Sequence, residues 1–157
     1  MLNVRPVNSI DVDCLFHWAN EPVVRKNAFN TSQIKYEDHI VWFKNKLDSI
    51  DSYIFILEEN AIPIGQIRFD LHHDPDCFRI DYSIAAGSQK KGYGTGIIAF
   101  GLLELVKKKV SCRIVQALVK PDNKISIRCF LKNKFKIMIE NKELVTLEVS
   151  LDEFKNE

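Results

Sequence analysis

The chain of 157 residues is 46% hydrophobic and 27% charged. This excludes a disordered, collagenous or membrane-spanning class, and the length suffices for a single domain, residues 1–157, to bury a core without disulfides or metal. Lys and Arg number 22 against 21 Asp and Glu, a net charge of +1, so no long-range field steers the protein onto nucleic acid or anionic lipid. The longest apolar stretch, Ile97 to Val106, is interrupted by Glu104 and is about half of the roughly 20 residues a membrane span needs. Met1 to Pro6 contains no apolar h-region and no small-residue cleavage site, so the expected location is the cytoplasm. Cys14, Cys77, Cys112 and Cys129 are scattered without a CxxC pair, which in a reducing compartment predicts four ordinary thiols and no zinc site.

A short strand is expected around Leu2 to Val7. Ser9 or Asp11 offers a short polar side chain to cap a helix running to about Asn20, and Pro22 breaks it. From Tyr36 to Leu47, Ile40, Phe43 and Leu47 recur at helical spacing, with Glu37 and Asp38 complementing the dipole in the first turn. Tyr53 to Leu57, Ile62 to Leu71 and Phe78 to Ala86 are rich in β-branched and aromatic residues and predict an antiparallel meander. His72-His73-Asp74-Pro75-Asp76 falls on the second connection and reads as a turn rather than a metal site. A Gly-rich loop precedes a buried helix from about Thr95 to Lys109. A strand at Ile114 to Val119, a helix at Lys124 to Asn133 and strands at Phe135 to Ile139 and Leu144 to Leu151 complete the chain. The fold class is α+β: a mixed, mostly antiparallel sheet of about seven strands with four helices.

Gln89-Lys90-Lys91-Gly92-Tyr93-Gly94-Thr95-Gly96 stands between a strand and a helix, where small residues let backbone N–H groups converge on an anion at the helix's positive end. The same glycines read equally well as a plain turn. The segment lacks the Gly-Lys-Ser/Thr of a P-loop, its glycines are spaced GxGxG rather than GxGxxG, and Val119-Lys120 stands where a Rossmann chain carries an acid. The run Gln-x-x-Gly-x-Gly in this position resembles the acetyl-CoA signature of the GNAT acetyltransferase superfamily, whose order of elements matches the order above from end to end. Asn123 and Ser126, followed by Phe130 and Phe135, resemble the family's second motif, although Lys134 replaces its usual glycine and Phe130 the tyrosine that in many members protonates the leaving thiolate. The resemblance implies that Ile84, Ala85 and Ala86 hold the pantetheine arm of acetyl-CoA, Gln89, Lys90, Lys91, Gly92, Tyr93, Gly94 and Thr95 its pyrophosphate, and Asn123, Ser126 and Phe130 its far side.

In the N-terminal half, Trp18-Ala19-Asn20-Glu21-Pro22 with Arg25, Tyr36-Glu37-Asp38-His39 with Trp42-Phe43, and Gly65-Gln66-Ile67-Arg68-Phe69-Asp70 resemble N-acetyltransferases that act on nucleotide-linked 4-amino sugars, including those of the pseudaminic acid pathway. Trp18, Trp42 and Phe43 read equally as apolar helix faces. This narrower likeness implies an acceptor site drawn from Asn20, Arg25, His39, Trp42, Arg68 and Asp70, with guanidinium groups matched to a diphosphate. Acetyl transfer to an amine needs a base. Strand alternation puts Arg79, Asp81 and Ser83 on one face, with Gln66, Arg68 and Asp70 beside them, so Asp81 is the expected base and His39 the second candidate. The same face also reads as a solvated surface with a cross-strand ion pair. Since Phe130 cannot supply the acid, the thiolate is expected to leave either unprotonated, at a thiol-like acidity of about 8.5, or protonated by water or a neighbour such as Tyr82 or Tyr93. The competing expectations are a protein or peptide amine as acceptor, or a non-catalytic acyl-CoA-binding module; a homodimer is compatible with either.

Overall fold

The computed structural model describes residues 1–155. Its strands are β1 (Leu2–Pro6), β2 (Ser52–Glu59), β3 (Ile62–His72), β4 (Cys77–Ile84), β5 (Ile114–Val119), β6 (Lys136–Glu140) and β7 (Val145–Ser150), segments rich in β-branched and aromatic residues. They form one sheet in the order β1-β2-β3-β4-β5-β7-β6, antiparallel except where β5 lies parallel to β4. The β2–β3 hairpin closes on Asn60 and Ala61, whose φ values of 51° and 68° are both positive, the combination a two-residue turn needs to follow the sheet's twist.

The register sorts side chains onto two faces. Phe55–Ile67–Tyr82 and Leu57–Gly65–Ile84 form rows on one face, and Ile54–Arg68–Asp81 and Ile56–Gln66–Ser83 form rows on the other. The first, inner face is covered by α4 (Tyr93–Lys107) and α5 (Lys124–Lys132), with Ile97, Ile98, Leu102 and Leu105 of α4 buried in the main core. Gly101 lies so close to β3 that a Cβ there would sit 2.7 Å from Ile67 Cδ1. The outer face carries α1 (Val12–Ala19) and α3 (Tyr36–Asp48) only over its first strands, through Leu15, Trp18, Phe43 and Ile56.

Three local expectations are corrected. The first helix does end before Pro22, at Ala19, but Pro22 also opens a further helix that was not expected, α2 (Pro22–Asn27), because at the first helical position its missing N–H is one that would be unpaired in any case. Among the described residues the α-helices therefore number five, with α2 the addition to the four expected. Asp11 does stand at the N-cap position of α1 but makes no side-chain cap bond there; Asn8 caps a 3-10 turn, Ser9–Asp11, that precedes the helix, its Oδ1 accepting from Ile10 N–H while the Asp11 carboxylate accepts from Asn8 N–H. Asp11 instead receives both Nη groups of Arg5. Burial would lift its carboxyl, but the bonds from Arg5 and Asn8 outweigh it and hold the pKa below the usual range. Lastly, α4 begins two residues early, at Tyr93, with Gly92 as its cap at φ 79°.

Candidate active site

β4 and β5 are paired only at Phe78–Val115 and Arg79–Gln116, and beyond Arg79 they part. The direction of β4's peptide groups follows from one bond. Ala85 N–H donates to Ile64 C=O, so Ser83 and Asp81 form the hydrogen-bonded pairs with β3, and the peptide groups of Tyr82 and Ile84 turn into the opening. Ile84 C=O there accepts from Gln89 Nε2 at 3.1 Å, which ties the glycine loop to the strand end. The loop passes through left-handed backbone at Lys90 (φ 64°) and Gly92 (φ 79°). No side chain caps α4, so the first-turn N–H groups of Tyr93, Gly94 and Thr95 are left unpaired along the helix axis, where the macrodipole adds about half a positive charge. Lys90 and Lys91 are exposed beside them.

On the inner side of the opening, Tyr82 OH donates to Ser126 Oγ at 3.1 Å, and Ser126 N–H donates to Asn123 Oδ1 at 3.3 Å. Burial pushes the Tyr82 phenol well above its ordinary pKa, so it keeps its proton at neutral pH. Phe130 is buried, edge-on to Tyr82 with ring centroids 5.6 Å apart. A Cβ added at Gly94 would stand 3.2 Å from Cys129 Sγ and 3.7 Å from Tyr82 OH, so the loop glycine, Tyr82 and α5 converge on one spot. Asn133, absent from the expected site, joins α5 to α4 by donating to Thr95 C=O and Cys129 C=O.

The outer side holds the acceptor candidates. Asp81 is 56% exposed, accepts from Gln66 Nε2 at 3.1 Å and lies 3.7 Å from Arg68 Nη1. Arg68 is otherwise committed: its Nε donates to Asp70 at 2.7 Å and its guanidinium lies 5.0 Å from the centre of the Trp42 ring. Asp70 also accepts from Lys46 and Ser52. Burial would raise its carboxyl, but Arg68, Lys46 and Ser52 outweigh that and lower it. The sequence reading did not foresee Lys46, because nothing in its helical position marks it as facing β3. Three other expected acceptor residues do local structural work. Arg25 donates to the carbonyls of Ala19, Asn30 and Ser32, and Asn20 brackets Ile34 through its N–H and C=O, so together they shape the segment after α2. His39 is buried between α1 and α3, its Nε2 donating to Val12 C=O at 2.8 Å among Phe16, Trp42 and Phe43. Among the described residues no group of three His, Cys, Asp or Glu side chains is placed to hold a metal ion.

A sequence model of the acetyltransferase (GNAT) domain matches residues 1–136. The chain belongs to the GNAT acetyltransferase family. No match was found among curated protein sequences, but solved structures share the fold of this GNAT domain. Spermidine N-acetyltransferase from Vibrio cholerae in complex with CoA and spermine superposes with a TM-score of 0.84 at 12% identity, covering 99% of this chain and 98% of that one. An N-acetyltransferase from Staphylococcus aureus gives 0.79 at 18%, covering 96% and 99%. The aminoglycoside acetyltransferase AAC(6')-Ib in complex with coenzyme A gives 0.80 at 19%, covering 100% of both.

Proposed function

We propose that this acetyltransferase moves the acetyl group of acetyl-CoA onto the amine of a nucleotide-linked amino sugar, by direct attack in a ternary complex in the cytoplasm, for surface-glycan biosynthesis. The observation that carries the cofactor half is the conjunction at one end of β4: three unpaired N–H groups at the start of α4 and a strand pair that opens after Arg79–Gln116. Convergent amides at a helix start fit a pyrophosphate, and the unpaired peptide edge of Tyr82 and Ile84 fits an amide-bearing arm. The CoA complexes among the structural neighbours support the same reading. The acceptor half rests on the N-terminal sequence likeness and on the open polar face around Asp81.

Acetyl-CoA, when bound, supplies the activated acetyl carbon. The residues of the chain divide the remaining work by face. Gln89 to Thr95 bind, and the N–H groups in the opening donate to the oxygen that gains charge, which is where a fixed dipole has most effect. Asp81, an exposed carboxylate on the outer face, takes the proton of the amine. Tyr82, one residue along and therefore on the opposite face, is the hydroxyl assigned to the departing sulfur in the role Phe130 cannot fill; burial raises its pKa and weakens it as an acid, and a thiolate of ordinary acidity, about 8.5, can also leave unprotonated. His39, buried and bonded to Val12, serves packing.

The test is free-thiol release from acetyl-CoA against a panel of nucleotide-linked amino sugars, the corresponding free amino sugars, polyamines, aminoglycosides and peptides. A nucleotide-linked sugar is expected to exceed its free form in kcat/KM by a wide margin. Equal turnover of the free sugar or of a peptide would refute the acceptor assignment, and cofactor binding without turnover of any amine would refute catalysis.

A further inference from the structure

The outer face contains an arginine that neither the sequence likeness nor the scheme above employs. Arg79 closes the last β4–β5 pair before the opening, opposite Gln116. Among the described residues it has no hydrogen-bond or ion-pair partner: its Nε–H is sealed from solvent and unpaired, and so is Oε1 of Gln116 beside it. The reason lies in the neighbours. Asp70, directly across from Arg79 on β3, is already taken by Lys46, Ser52 and Arg68, and Glu148, across from Gln116 on β7, is taken by Gln116 Nε2 at 3.3 Å. The two Nη groups are likewise unpartnered yet are not sealed from solvent.

A guanidinium without partners retains the fork that matches two oxygens of a phosphate or carboxylate, whereas Arg25, first expected to bind an anion, donates to three backbone carbonyls, and Arg68, the other such arginine, is tied to Asp70 through Nε and lies 3.7 Å from Asp81 through Nη1. We propose that Arg79, supported by Gln116, is the anchor for a phosphate group of the acceptor. Alternation puts Arg79 and Asp81 on the same face two residues apart, about 6–7 Å along the strand. One pyranose ring bridges such a gap, so a phosphate on one side of the sugar at Arg79 brings an amine on the other side to Asp81. The inference rests on the nucleotide-sugar reading for the identity of the acceptor, but the phosphate site can be tested apart from it.

The experiment measures binding of UDP and of inorganic pyrophosphate by calorimetry to protein saturated with CoA, so that the α4 loop is unavailable to them. Arg79→Gln is expected to weaken both by about 10–100-fold, the range of a charge-assisted hydrogen-bond pair, with CoA affinity unchanged. Arg79→Lys keeps the charge but not the fork, and should fall between the two. Removing a buried unpaired donor should leave the melting temperature of Arg79→Gln equal to or above that of the wild type, which separates loss of binding from loss of folding. Unchanged UDP affinity in Arg79→Gln overturns the proposal, as does a CoA-saturated wild type that binds neither probe. If pyrophosphate binds through Arg79 yet no nucleotide-linked sugar is acetylated, the phosphate site stands and the acceptor assignment falls. If such a sugar is acetylated and Arg79→Gln leaves its KM alone, the reverse holds.

Discussion

Gly92→Ala probes the conformation on which the cofactor site depends. Gly92 has φ 79°, and a Cβ built on it meets nothing within 4 Å. The whole effect of the added methyl group is therefore in the backbone, roughly 1–2 kcal/mol for an L-residue held in left-handed geometry. If the loop keeps its shape, the variant loses that amount on unfolding and melts about 2–8 °C lower, at 2–4 °C per kcal/mol for a domain of this size. If the exposed loop relaxes instead, stability is kept and binding must restore the strained form, raising the acetyl-CoA Kd about 5–30-fold. Melting curves with and without acetyl-CoA separate the two. At a ligand concentration of 100 times the wild-type Kd, the wild type gains about 2.7 kcal/mol, while a variant binding tenfold more weakly gains about 1.4 kcal/mol. Gly96 is the control: it lies inside α4 with open space at its Cβ and ordinary φ, so Gly96→Ala should leave the unliganded melting temperature unchanged or raise it. A Gly92→Ala protein with both the unliganded melting temperature and the acetyl-CoA shift of the wild type would refute the loop conformation and the role built on it.

Asp81→Asn should lower kcat by about 10²–10⁴-fold, less as pH rises and free amine becomes abundant, with acetyl-CoA affinity intact; a kcat near that of the wild type at neutral pH removes Asp81 as base. His39→Gln should instead lose about 1–3 kcal/mol of stability through the Val12 bond and its ring contacts while the folded enzyme keeps its kcat, as urea unfolding and steady-state rates together would show. Asp70→Asn should be less stable than the wild type at pH 7, and the gap should close on acidification. A carboxyl whose folded pKa is depressed contributes stability above its unfolded value near 4, and that contribution is lost as pH falls through the lower folded value; urea unfolding at pH 7, 4 and 3 reads it, and a gap that persists at pH 3 assigns the effect to packing. Lys134, at φ 69° just past α5, holds Glu153 C=O and lies 5.0 Å from the Phe154 ring centre, so Lys134→Gly and Lys134→Ala both lose the side chain but only glycine escapes the left-handed strain. The glycine variant should melt about 2–4 °C above the alanine variant, and equal melting temperatures would refute that strain.

The strands and the longer helices were legible because the residues that make them also bury them. Ile67 and Phe69 alternate with the polar residues Gln66, Arg68 and Asp70, and Ile97, Leu102 and Leu105 fall on one helical face, so one pattern fixed both type and orientation. Helix α2 was not legible, since it buries none of its residues and leaves no periodic signature. It stands on Arg25 and Asn20 bonding to backbone, contacts that no local pattern announces. For the same reason, Arg25 read as an anion ligand from its residue type while its partners are the carbonyls of a loop five to seven residues further on. Arg79 was placed on the right face by alternation, but its lack of a partner depends on Asp70 being claimed by Lys46, 24 residues away in sequence, which only the folded chain reveals.

The arrangement also explains how a single strand can serve two reactants. Asp81 and Tyr82 are consecutive, so alternation sends the first to the open outer face and the second to the inner face beneath α4 and α5. The proposed proton acceptor and the buried phenol are thereby kept on opposite sides of the sheet, beside the point where β4 leaves β5. The position in α5 that many members of the family fill with tyrosine is here Phe130, packed against Phe135 with ring centroids 4.9 Å apart. Its apolar edge desolvates the Tyr82 phenol, and Ser126 receives that phenol's hydrogen bond. Desolvation raises the pKa of Tyr82, which makes its phenol a weaker acid than an exposed tyrosine. In the scheme proposed above, phenylalanine at position 130 therefore leaves the CoA thiolate, whose acidity is that of an ordinary thiol, about 8.5, to depart unprotonated or with the strand hydroxyl of Tyr82 and not one from α5.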